Sequence, residues 1–113
     1  MSYKVLTIDV FDRQAKQLAK KHRSLKVDLM QLIENLEKDP TQGDYLGVDK
    51  TGNELYKVRM AITSKRKGKS GGARVITFVK IIETKVYLAS IYDKGEKDSL
   101  SNKEIELLFN EIP

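Results

Sequence analysis

At 113 residues, 40% hydrophobic and 33% charged, the chain has the length of one ordinary domain, and its evenly spread apolar residues exclude a disordered chain or a membrane span. It has no cysteine and a single histidine, His22, which excludes disulfides, thiolate nucleophiles, sulfur-built zinc sites and multi-histidine metal centres. The net charge of +5 is localised: no acidic residue lies between Glu54 and Glu83, an interval that carries Lys57, Arg59, Lys65, Arg66, Lys67, Lys69, Arg74 and Lys80, so the rest of the chain is net acidic. Such a polarised field suits a phosphodiester backbone as partner. Met1 to Val10 lacks a basic stretch followed by a long apolar run and a cleavage site, so no secretory signal is expected, and the absence of cysteine fits a reducing cytoplasm.

Alternation in Tyr3 to Asp9 predicts a first strand. Phe11, Ala15, Leu18, Ala19 and His22 then fall at helical spacing. Leu25, Leu29, Leu32 and Leu36 form a second helical stripe, with Ser24 placed as N-cap and Asp39-Pro40 as the stop. Together these predict an antiparallel helical hairpin whose leucines pack on a sheet. Thr41 to Asn53 is rich in turn residues, with a short extended piece around Tyr45 to Val48. Leu55 to Ile62 is the second predicted strand, and Ser64 to Gly72 (SKRKGKSGG) a mobile loop. Arg74 to Ile82 is almost continuously apolar and is expected at the centre of the sheet; the turn Glu83-Thr84-Lys85 leads to a fourth strand, Val86 to Tyr92. Ser101 and Glu104 make a capping box for a last helix with Ile105, Leu108, Phe109 and Ile112 on one stripe. The expected fold is α+β, order βααβββα, one domain over residues 1–113: an antiparallel sheet with the helical hairpin on one face and a basic concave face opposite.

Period-two alternation places Lys57 and Arg59 side by side on the face opposite Tyr56, Val58, Met60 and Ile62. Two neighbouring cations repel unless an anion lies between them. Arg74 joins that face if the register allows, with Gly71-Gly72 as a candidate bulge, and Tyr92 and Lys94 share its parity on the fourth strand, ending near Lys97. The bland alternative for Lys65 to Lys69 is a solvated basic loop.

The runs Tyr56-Lys57-Val58-Arg59, Gly68-Lys69-Ser70-Gly71-Gly72-Ala73-Arg74-Val75-Ile76 and Ile91-Tyr92-Asp93-Lys94-Gly95-Glu96-Lys97 stand in an order that resembles the RelE/HigB toxins of bacterial type II toxin-antitoxin systems, over most of the chain. The resemblance implies a microbial-ribonuclease-like fold and cleavage of mRNA, usually in the ribosomal A site. It also implies no metal or other cofactor, and neutralisation by a cognate antitoxin, often of helix-turn-helix type; no membrane is involved.

Cleaving RNA without a metal uses the 2′-OH as nucleophile, and the protein must accept its proton, stabilise the phosphorane and protonate the leaving 5′-oxygen. The candidate catalytic residues are Lys57, Arg59, Arg74, Tyr92 and Lys94. Lys57 beside a second cation is the candidate base; Arg59 and Arg74 suit charge stabilisation; Lys94, Lys97 or Tyr92 is the proton donor. Lys65, Arg66, Lys67, Lys69, Lys80 and Lys97 are expected to meet mRNA or ribosomal RNA. The sequence departs from the family in two places. Arg59 stands where a second lysine is common, and Asp98-Ser99-Leu100-Ser101 offers no tyrosine, so Tyr92 is the substitute. His22 is expected to pack or cap. Three other readings compete: a non-catalytic nucleic-acid-binding module, poorly supplied with stacking aromatics; an inactive toxin homologue; and a ParE-like gyrase poison, against which the full cation set argues.

Overall fold

A computed structural model describes residues 2–113. In chain order it contains β1 (Lys4–Thr7), α1 (Asp9–Lys21), α2 (Leu25–Lys38), β2 (Asp44–Val48), β3 (Glu54–Met60), a 3-10 turn (Thr63–Lys65), β4 (Ala73–Lys80), β5 (Lys85–Asp93) and α3 (Asn102–Phe109). The sheet order is β1-β5-β4-β3-β2. The long, β-branched β4 lies at its centre and is buried from Ala73 to Val79, as its unbroken apolar run predicts.

Two features differ from the expected four-strand antiparallel sheet. The extended piece around Tyr45 is a full edge strand, β2, paired antiparallel with β3 through a bulge between Tyr45 and Gly47. At the other edge β1 runs parallel to β5, from Lys4 opposite Lys85 to Thr7 opposite Leu88. A four-residue strand carries too little pattern to specify its partner or direction, which the packing of the helices behind it decides.

The leucine stripe behaves as expected: Leu25, Leu32 and Leu36 are buried. Ser24 does not cap α2 through its own side chain. Its hydroxyl instead donates to Asp28 Oδ2 (2.8 Å) and accepts from Ser64 N (2.9 Å). The buried Asp28 carboxylate also accepts from the backbone N–H and hydroxyl of Thr63, at 3.0 and 2.7 Å. The start of the expected mobile loop is thereby tied to α2.

Among the described residues, β5 has no strand neighbour on its outer side beyond Thr7. There α1 supplies Gln14, whose Oε1 accepts from Ile91 N (3.0 Å) and Ser90 Oγ (3.1 Å), satisfying an edge N–H that would otherwise be orphaned. On the face that carries Phe78, the capping box of α3 forms as predicted, and Phe109 meets the buried Phe78 ring edge-on at 5.2 Å. The helix runs along that face, with Phe109 on Phe78 at one end and Glu104 paired with Lys97 at the other. Among the described residues no helix is long and apolar enough to cross a membrane.

Candidate active site

Strand register builds the site. Arg59 of β3 lies opposite Arg74 of β4, which lies opposite Tyr92 of β5; one step along, Lys57 is opposite Ile76 and Ile76 opposite Ser90. Val58, Val75 and Ile91 occupy the opposite parity and are buried. Alternation alone therefore brings Lys57, Arg59, Arg74 and Tyr92 to one face. The Gly71-Gly72 pair contributes no bulge, because β3 and β4 pair without a shift from Glu54–Val79 to Met60–Ala73. Gly72 is there for close approach: a Cβ on it would stand 2.2 Å from Met60 O. The bulge lies between β4 and β5, at Ile76/Thr77.

Arg74 is not solvent-facing, as the alternation suggests, but 4% exposed. Its Nη1 donates to Lys69 O (2.8 Å) and Ala73 O (3.2 Å), and its Nη2 to Ser70 O (3.2 Å). In the free chain the guanidinium thus holds the 69–73 backbone. The accessible cations are Arg59, whose side chain is 58% exposed and lies 3.6 Å from Asp44 Oδ2, together with Lys57, Lys94 and Lys97.

Carboxylates that residue spacing did not point to face these cations. Lys94 pairs with Asp98, and Lys97 with Glu104 of the capping box. The hydrogen bond and charge of Lys94, and to a lesser degree the charges of Lys57 and Arg74, hold Asp98 below the usual carboxylate range. The signal for Asp98 is its position four residues after Lys94, which pairs side chains only where the chain turns. Burial pushes the Tyr92 hydroxyl upward; Arg74 pulls it down, and Glu104 and Asp98 push it further up. Tyr92 therefore stays protonated at neutral pH, and the upward shift makes its hydroxyl a weaker acid than a free tyrosine, so the charge of Arg74 beside it is what favours release of the proton.

The expected RNA-binding set is not brought together as a whole. Lys65 is withdrawn from solvent, its ammonium 2.8 Å from Asp93 Oδ1 with side chains 16% and 8% exposed. Lys80 stands at the opposite end of β4, six residues or roughly 20 Å from Arg74, where it lies over the Tyr87 ring and pairs with Glu83. Arg66, Lys67 and Lys69 are exposed in the loop beside the site. His22 is half-buried, with Nε2 3.3 Å from Asp93 Oδ2 but out of line for a hydrogen bond.

A sheet face of this build, with its cations opposite a helical hairpin, defines the class. The family model for the RelE toxin of the RelE/RelB toxin-antitoxin system matches residues 4–111, and the chain belongs to that family. Among solved structures, the free-state structure of an E. coli toxin RelE mutant with two arginines replaced by alanine superposes with a TM-score of 0.56 at 15% identity, covering 98% of this chain and 94% of that one. No curated protein matches in sequence.

Proposed function

We propose that this RelE-family chain is an mRNA interferase toxin, an endoribonuclease that cuts mRNA in the ribosomal A site in the cytoplasm and is neutralised by a cognate antitoxin. Residues 1–113 act as one toxin domain in this reading, as a family match running from 4 to 111 supports. The observation that carries it is the cross-strand row Arg59–Arg74–Tyr92 with Lys57 and Lys94 beside it: cations and a protonated phenol gathered on one face. These are the groups that attack by an internal 2′-OH requires.

In the proposed reaction the 2′-oxygen attacks phosphorus and its proton is taken by Lys57, the candidate base. Arg59 and Arg74 stabilise the added charge on the phosphorane, and Tyr92 or Lys94 protonates the departing 5′-oxygen, leaving a 2′,3′-cyclic phosphate and a 5′-hydroxyl. No step needs a metal. The three carbonyls take three of the five N–H donors of Arg74, which leaves Nε and one Nη2 hydrogen for a phosphate oxygen while the loop stays held.

Primer extension on mRNA in a translation reaction, with and without ribosomes, tests the proposal. New 5′ ends within codons that appear only with ribosomes support it. Ribosome binding without cleavage would instead favour the non-catalytic nucleic-acid-binding reading.

A further inference from the structure

We infer that Asp93 is a positioning residue for Lys94, bracing from behind the turn that carries it; the inference rests on the ribonuclease reading above. Asp93 ends β5 between Tyr92 and Lys94, pairs with Ala73 on the face away from the cation row, and is 7% exposed. A carboxylate so buried is costly unless its oxygens are matched. Here Oδ1 accepts from Gly95 N (2.8 Å) and from the Lys65 ammonium (2.8 Å), and Oδ2 lies against His22.

The consequence falls on the turn. Lys94 N donates to Gly72 O (3.0 Å), Gly95 N to the Asp93 carboxylate, and Glu96 N and Lys97 N to Asp93 O (3.0 and 3.1 Å). Every backbone N–H from Lys94 to Lys97 is therefore bound, and all but one of them are bound by Asp93 itself. Segments that meet nowhere near one another in sequence, at His22, Lys65 and Asp93, converge on this point. Lys94 is mounted on a fixed turn and its ammonium is paired with Asp98 on the same segment, so the backbone brace sets where the ammonium can reach.

The test separates the acceptor from the charge. Asp93→Asn keeps an oxygen for Gly95 N–H and loses the charge; Asp93→Ala loses both; Lys65→Met removes only the ammonium. Single-turnover cleavage of ribosome-bound mRNA is measured with folded protein, well below each melting temperature. Asp93→Ala should cut at least about tenfold more slowly at saturating ribosomes with its half-saturating concentration little changed, because a misplaced group lowers the chemical step. Asp93→Asn and Lys65→Met should stay within about threefold of wild type, although both melt lower.

Folded Asp93→Ala cutting at the wild-type rate, a loss confined to half-saturation, or Asp93→Asn no better than alanine would each overturn the inference. Should Asp93→Ala not fold, the Asp93→Asn/Lys65→Met pair carries the test, since it leaves no lone buried ion and keeps the acceptor. It should cut within about threefold of wild type, and a tenfold loss overturns the inference. A wild-type chain that cuts nothing overturns the ribonuclease reading and this one with it; a wild type that cuts while the alanine variant keeps pace overturns this one alone.

Discussion

Replacing Arg74 by alanine deletes hydrogen bonds to the carbonyls of Lys69, Ala73 and Ser70 from a side chain that is almost wholly buried. Loss of such charged donors should lower stability by about 1–3 kcal/mol and also abolish growth arrest. Thermal melting beside growth arrest measures both; an unshifted melting temperature would mean that the carbonyls find water instead. Lys57 separates its own roles. If it takes the 2′-proton, Lys57→Arg should be as damaging in single-turnover cleavage as Lys57→Ala, because arginine keeps the charge but releases no proton near neutral pH. Activity retained in the arginine variant would assign Lys57 to holding phosphate. The alternation of β3 made Lys57 and Arg59 legible as a pair. The burial of Arg74 was not legible, since parity gives the face a side chain leaves from but not what lies over it.

At the scale of elements, the 64–72 loop divides into an anchored start and a displayed remainder. Lys65 is tied to Asp93 and Ser64 to Ser24, whereas Arg66, Lys67 and Lys69 are exposed. Changing those three to serine should weaken ribosome binding and flatten its salt dependence by ~0.7 for each single-strand phosphate no longer neutralised, with the cleavage rate of bound complexes little changed. An unaltered salt slope would remove the loop from the interface.

The β5 terminus carries a pH dependence. Burial raises the Asp93 pKa, but the Lys65 hydrogen bond, the Gly95 N–H and the Lys65 charge outweigh it and hold the group below the ordinary 3.8. A carboxyl depressed on folding stabilises the protein at pH above its unfolded value, and that contribution disappears as pH falls through the lower folded value. Acid unfolding of wild type should therefore steepen below about pH 4, and the stability difference from Asp93→Asn should shrink there. A difference that stays constant with pH would show that the carboxyl titrates alike folded and unfolded.

For the whole molecule, the charge polarity is the governing feature. Positive residues gathered between Lys57 and Lys80 in a chain otherwise net acidic give a directed field, and the exposed cations Arg59, Arg66, Lys67 and Lys69 lie at one end of the sheet. An antitoxin segment that covers this end should be acidic, and its association should slow as salt rises, because screening shortens the reach of the field to ~8 Å at physiological ionic strength. Stopped-flow association over a range of salt concentrations measures this. A salt-independent rate would move the inhibitory contact elsewhere, for instance to β1 or the helical hairpin.

Local pattern determined the helical hairpin, the capping box of α3, the central place of β4 and the parity that puts Lys57, Arg59, Arg74 and Tyr92 on one face, because period and capping act between residues close in sequence. Only the tertiary structure decided that β1 runs parallel to β5, that Lys80 stands far from the row, and that Lys65 and His22 turn inward to Asp93. The direction of β1 and the inward turn of Lys65 and His22 depend on contacts between residues tens of positions apart, where burial and charge pairing outweigh any local preference and leave no periodic mark in the sequence; the place of Lys80 follows from the length of β4.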